Sequence, residues 1–141
     1  MIFIDSNIWC YYFDSRVSEH KRVIEPVREA LREGAIFVNT VVIMEVAHYL
    51  SRYLSESDVR EKVNIFVNLR NLRILDFDRS LLDASVDLLA RFAESHGLGG
   101  RDATIVASLI KHGINVLVTH DKSLGSLVET LAIKVQDPIP T

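Results

Sequence analysis

Short apolar, β-rich runs alternate along the whole chain with segments of helical period. Residues 1–4, 35–38, 72–75 and 114–118 are nearly continuous apolar stretches, and 132–135 is a fifth, marginal one. Runs without a clean in–out alternation belong to strands covered on both faces, as in a parallel sheet. Between them, 6–13 reads as a short helix. Residues 18–32 place Val23, Val27 and Leu31 at helical spacing and close at Gly34, with Pro26 predicting a kink or break. Thr40 is placed to cap 41–53. Ser57 is placed to cap 58–70, whose stripe is Val59, Val63, Phe66 and Val67. Asp78 is placed to cap a helix running to Ser95 and stopped by Gly97, and 101–112 ends at Gly113. This order predicts an α/β fold with a central, mainly parallel sheet of four to five strands and helices on both faces. One domain spanning 1–141 is expected, without repeat or linker.

Composition narrows the function classes. The chain has 141 residues, 48% hydrophobic and 25% charged, the profile of a soluble globular protein able to bury its own core. Cys10 is the only cysteine, which excludes an intramolecular disulfide and a cysteine-based zinc cluster and fits a reducing compartment. No stretch approaches the roughly eighteen consecutive apolar residues of a membrane span. The start, Met1-Ile2-Phe3-Ile4-Asp5, reads as a strand and not as a signal peptide. A cytoplasmic protein without membrane contact is therefore expected. The net charge of −3 argues at first against a polyanionic partner, but setting aside four acids for one site leaves a balance near +1.

Four acids stand where such a sheet binds ligands, beyond the carboxyl ends of its strands. Asp5 follows the first strand and Asp121 the fourth. Glu45 lies about one turn into the helix after the second, and Asp102 opens the helix after Gly97-Leu98-Gly99-Gly100. Each of the three aspartates also has a plain structural reading: Asp5 as a cap, Asp102 as a first-turn acid favoured by the helix dipole, Asp121 as a turn residue. Glu45 is harder to set aside. Its helix, Val41-Val42-Ile43-Met44-Glu45-Val46-Ala47, is apolar nearly all round and reads as buried, where a carboxylate needs a cation or an arginine. Gathered carboxylates repel one another, and a hard divalent cation, Mg²⁺ or Mn²⁺, relieves that cost. Such a centre can generate a hydroxide nucleophile and stabilise the leaving oxygen at a phosphodiester. The acids alone do not separate a nuclease from a phosphatase.

The ordered set Ile4-Asp5-Ser6-Asn7, Glu45 on its apolar helix, Arg101-Asp102-Ala103-Thr104-Ile105-Val106-Ala107 and Thr119-His120-Asp121 resembles the PIN-domain family, and within it the VapC-type toxins of toxin–antitoxin pairs. The resemblance spans residues 2 to about 136. It implies a metal-dependent ribonuclease, with Asp5, Glu45, Asp102 and Asp121 as catalytic and metal-site residues using Mg²⁺ or Mn²⁺. Asn7 would orient Asp5 or a metal-bound water, although it also reads as a helix cap, and Thr119 would support the site through its hydroxyl. RNA as substrate, a small antitoxin as partner and a homodimer are implied too, with antitoxin contact expected on the helix pair 41–67 at apolar residues such as Tyr49 and Phe66. One departure is visible: relatives often carry an aromatic residue three positions after the last aspartate, where this chain has Leu124.

Around these residues the sequence offers weaker signals. Arg101 and Lys122 neighbour site acids and are the preferred candidates for holding RNA phosphates, ahead of Arg16, Lys21 and Arg22. His120 adjoins Asp121, whereas His20, His48, His96 and His112 read as solvated. Cys10 reads as a small core residue. Trp9, Tyr11, Tyr12 and Phe13 can stack bases, but core packing and subunit contacts are the favoured use. Three alternatives remain open at this point. One is a metal-dependent phosphatase, weakened by Asn7 standing where a second aspartate belongs. The others are an RNA-processing nuclease outside any toxin–antitoxin pair and a non-cleaving RNA-binding protein.

Overall fold

In the computed structural model, which describes residues 1–140, the apolar runs become five strands, and there are seven helices, one more than the periodic segments predict. In chain order these are β1 (Ile2–Ile4), α1 (Ser6–Phe13), α2 (His20–Glu33), β2 (Ile36–Asn39), α3 (Thr40–Ser51), α4 (Glu56–Val67), β3 (Leu72–Leu75), α5 (Arg79–His96), α6 (Gly100–Lys111), β4 (Val116–Val118), α7 (Lys122–Thr130) and β5 (Lys134–Gln136). The strands form one all-parallel sheet in the order β3-β2-β1-β4-β5. Phe3 and Ile4 point to opposite faces of β1, and both are buried, so helices cover the sheet on both sides. No helix among the described residues is long and apolar enough to cross a membrane.

Strand order decides where the site lies. From β1 the chain builds outward through β2 and β3, then returns to the other side of β1 as β4 and β5. The carboxyl ends of β1 and β4 therefore flank the point where the winding reverses, the place where open α/β sheets leave a crevice. Trp9, fully buried on α1, donates from its indole Nε1 to the Ile4 carbonyl at 3.1 Å and packs on Phe66 of α4, ring centroids 4.7 Å apart. Burying rings of this size contributes about 2–3 kcal/mol each. It fixes the first turn of α1, and with it Asp5, against the end of β1.

Several local expectations are corrected. Asn39, the last residue of β2, caps α3 in place of Thr40: its Oδ1 accepts from the Val42 amide at 2.9 Å, while Thr40 Oγ1 accepts from the Phe77 amide. Ser55, not Ser57, caps α4. Pro26 stands inside one unbroken α2, so the break does not occur. Residues 122–130, read as no element, form α7, and β5 starts at Lys134 rather than at residue 132. The α5 stop is as expected, with Gly97 in the left-handed region at φ 63°.

Candidate active site

Asp5 leaves β1 with its amide still bonded to the Val118 carbonyl of β4 at 2.9 Å. Its side chain is 4% exposed and has both oxygens engaged. Oδ1 caps α1 by accepting from the Ser6 amide at 2.6 Å, and Oδ2 accepts from the Thr119 hydroxyl at 2.7 Å. The cap and the site role thus coexist in one residue. Thr119 Oγ1 also accepts from the Asp121 amide at 3.0 Å, so a single buried hydroxyl ties the acid after β1 to the acid after β4. Asp121 in turn caps α7 through the Leu124 amide at 3.0 Å. Burial pushes the Asp5 carboxyl above its ordinary range and the nearby Asp121 charge adds to that, against the Thr119 and Ser6 bonds and Arg101.

Glu45 enters from α3. That helix is not buried all round as its sequence suggests: Val42, Val46 and Leu50 face the core, while Met44 is 69% exposed. Glu45 lies between these faces with 18% of its side chain exposed. Its Oε2 pairs with Arg101 Nη1 at 2.7 Å, which is the plain arginine pairing that the sequence left open. Its Oε1, however, is buried and has no partner, alone in this among the side-chain oxygens and nitrogens of the described residues. Burial, opposed by Arg101 and reinforced by Asp5 and Asp102, raises the Glu45 carboxyl to about 7. Asp102, in the first turn of α6, is raised in the same way by burial and by Asp5 and Asp121, and Arg101 Nε approaches it at 3.7 Å.

A buried polar brace sets α3 against α6. Asn39 Nδ2 donates to Ser108 Oγ at 3.1 Å and to Thr104 O and Oγ1 at 3.3 Å, while Ser108 Oγ donates to Thr104 O. This places Glu45 and Asp102, on different helices, near one pair of strand ends. Asp5, Glu45, Asp121 and Arg101 line a common cleft of about 380 Å³, with Cys10 and Asn7 also in its wall. Asp102 stands beside it, coupled electrostatically to Asp5 and Asp121. Among the described residues no three acidic, histidine or cysteine side chains stand close enough together to hold one ion directly.

The supporting candidates divide. Asn7 lines the cleft, but its Oδ1 meets the His120 amide at 3.5 Å, with no bond to Asp5. Lys122 lies outside the cleft, its Nζ 2.9 Å from Asp137 Oδ2, and His120 Nδ1 meets the same carboxylate oxygen at 2.9 Å. Burial would raise Asp137, but Lys122, His120 and the Ile139 amide hold it below its usual value. Arg16 is bound by Asp14 and stacked on Tyr53. The Cys10 thiol is pushed up to about 12 by burial and by Glu45 and Asp5, so it stays protonated and is no nucleophile.

Sequence reasoning missed the rest of the α3 wall. His48, Tyr49 and Arg52 line the same cleft as Glu45. They lie three, four and seven positions after it, the spacing of one helix face, and that spacing could have found them. Tyr49 donates to the buried Asp14 at 2.7 Å. Phe66, expected to meet a partner, is buried against Trp9 and Phe13 and is not open to one.

The profile of the PIN domain family matches residues 2–128. No curated protein matches the sequence. Among solved structures, Mycobacterium tuberculosis VapC20, a sarcin–ricin loop cleaving toxin, has a TM-score of 0.75 at 18% identity, covering 90% of this chain and 95% of that one. FitAcB from Neisseria gonorrhoeae has 0.72 at 18%, covering 98% of both. VapBC2 from Rickettsia felis, bound to a DNA fragment from its promoter, has 0.71 at 18%, covering 97% and 98%. At these identities the likeness carries the fold.

Proposed function

The chain belongs to the PIN domain family, and from that premise we propose that it is a divalent-cation-dependent endoribonuclease, the toxin of a toxin–antitoxin pair. The observation that carries the reading is the unpartnered, buried Oε1 of Glu45 beside Asp5 and Asp102. A site that leaves a carboxylate oxygen dry and raises three of its acids together lacks positive charge, and one arginine does not supply enough. Oxygen-only donors suit Mg²⁺ or Mn²⁺. Mg²⁺ keeps several of its waters and needs only one or two direct carboxylates, so the lack of a closed three-residue cage does not oppose it.

Asp5, Glu45, Asp102 and Asp121 are the residues that would hold the cation, directly or through its waters. When bound, the cation supplies Lewis acidity at the scissile phosphate and a water acidified for attack. Thr119 keeps Asp5 and Asp121 in fixed relation, and Arg101 balances Glu45 and Asp102. The similar structures include a sarcin–ricin loop cleaving toxin and toxin–antitoxin assemblies, which supports RNA as substrate and an antitoxin as partner. On α3, α4 and the turn between them the large apolar residues open to an antitoxin are Met44, Tyr53, Ile65 and Val67. A homodimer is part of the same proposal.

The Arg101–Glu45 pair favours one alternative, a non-cleaving RNA binder whose acids are neutralised internally. Cleavage of a panel of structured RNAs with Mg²⁺, Mn²⁺ or EDTA, by wild type and Asp5→Asn, separates the two. Asparagine retains an oxygen to cap α1, so loss of activity reports on the carboxylate charge. Cation-dependent cleavage that disappears in the variant supports the nuclease. RNA binding without cleavage, indifferent to the cation and to Asp5→Asn, supports the binder.

A further inference from the structure

Resting on the ribonuclease reading, we propose that the cleft holds a second subsite beyond its carboxylates: Arg52, assisted by His48, takes the phosphate next to the one that is cut, and the ring of Tyr11 takes the intervening base. The first argument is placement. Arg52, the C-cap that follows α3 with helical backbone angles, continues the face that carries Glu45, about 10 Å further along the helix axis at 1.5 Å per residue. Helical side chains lean toward the N-terminus, so the Arg52 guanidinium reaches back toward the acids. An RNA backbone entering an acidic wall is repelled unless a cation stands beside the entry, and Arg52 stands there.

The second argument is which cations are free. Arg101 is held by Glu45 at 2.7 Å and flanked by Asp102, and Arg16 is held by Asp14 through bonds of 2.9 and 3.0 Å. Arg52 lines the cleft, yet among the described residues its guanidinium makes no ion pair and no hydrogen bond. The His48 ring is likewise unbonded. A phosphate oxygen satisfies both without breaking an existing contact, whereas recruiting Arg101 would strip Glu45.

The third argument is which aromatic ring is free. Trp9, Tyr12, Phe13 and Phe66 interlock, with centroids 4.7–6.3 Å apart. Tyr11 engages no other ring and lines the cleft, and its backbone is steadied by His20 Nδ1 at 2.8 Å from its carbonyl. It is a fixed, half-buried platform for a base. A cleft of about 380 Å³ is the size of a small-ligand site and takes one splayed nucleotide, not a paired stem.

The test uses full-length protein in the non-cleaving Asp5→Asn background and a short fluorescein-labelled single-stranded RNA of mixed sequence, read by anisotropy across a salt series. Adding Arg52→Gln is expected to weaken binding about fivefold at low salt and to flatten the log–log salt slope by about 0.7, the loss of one phosphate contact on a single strand. Tyr11→Leu is expected to weaken binding about tenfold with the slope unchanged, while Tyr11→Phe binds as the parent does. Arg28→Gln, on the outer side of α2, is the control that changes neither. An altered salt slope is not what a merely structural role would give. Parent-like affinity and slope in Arg52→Gln overturn the subsite and leave the ribonuclease reading standing. No RNA binding by the parent overturns both.

Discussion

Replacing Glu45 by glutamine is expected to make the metal-free protein more stable at pH 8, although the residue sits at the centre of the site. The Glu45 carboxyl lies at about 7 against an ordinary 4.5, chiefly through burial. A group raised in the folded state binds more protons there than in the unfolded chain. Its contribution is therefore fully present below pH 4.5 and is lost as pH rises through 7. At about 1.4 kcal/mol per pH unit the full penalty is about 3 kcal/mol. With 18% of the side chain open to water, about 2–3 kcal/mol is the expected range. Asp5 and Asp102 are raised as well and steepen the same slope. Glutamine removes the Glu45 share and still offers Arg101 an oxygen. Because the Arg101 side chain is 57% exposed, losing the opposite charge costs it little. At about 3–5 °C per kcal/mol for a chain of this length, Glu45→Gln melts roughly 8 °C above wild type at pH 8 in EDTA and level with it at pH 4.5. Mg²⁺ or Mn²⁺ restores the stability that wild type loses at pH 8 and does much less for the variant. The assay is melting by circular dichroism against pH, with EDTA or metal. A variant that melts at or below wild type at pH 8 would mean that Glu45 is not held under repulsion, and the argument for a cation would fail with it.

Three further expectations follow from single contacts. Thr119→Val removes the hydroxyl between Asp5 and Asp121 and leaves a buried carboxylate oxygen unpaired, a loss of about 1–3 kcal/mol in urea. RNA cleavage falls at least tenfold, Thr119→Ser retains both properties, and full activity in the valine variant would show the link to be dispensable. Asn39→Ala uncaps α3 and frees it from α6, which is expected to cost about 2–3 kcal/mol in the urea midpoint, and a change under about 0.5 kcal/mol would contradict the brace. Asp14, held well below its ordinary value by Arg16 and Tyr49 despite burial, gives stability that is present above about pH 4 and lost as pH falls below it. Asp14→Asn therefore melts lower at pH 7, and the two curves converge in acid. Parallel curves would remove Asp14 as the cause.

What the sequence revealed, and what it hid, divides along physical lines. β1, β2 and β4 were legible because strands buried on both faces leave near-continuous apolar runs. β5 was displaced because Ala132 and Ile133 look like strand, yet Ala132 turns at φ 62° and only then does the edge strand begin. α7 escaped because Gly125 interrupts a weak apolar stripe. A Cβ at that position would stand in ordinary contact with Val135, 3.4 Å away, so the buried helix face itself is continuous in space although the sequence stripe is not. The choice between Asn39 and Thr40 as cap depends on where β2 lets go of β3, and order along the chain does not tell this.

The acids were legible for a different reason. A parallel sheet sends every strand's carboxyl end to one edge, so residues after strands are candidates whatever the strand order. Which of them meet is a matter of topology. Asp5 and Asp121 share the Thr119 hydroxyl only because β4 pairs with β1, and that neighbour relation is absent from the apolar pattern. Glu45 reaches them because Asn39 bolts α3 to α6 through bonds to residues far along the chain. Arg101 was found as a basic neighbour of Asp102, but its engagement with Glu45 requires the fold. Local sequence therefore marks which side chains carry the chemistry, while strand order and one buried asparagine bring them together. On this argument Asn39→Ala should weaken cleavage with all four acids intact.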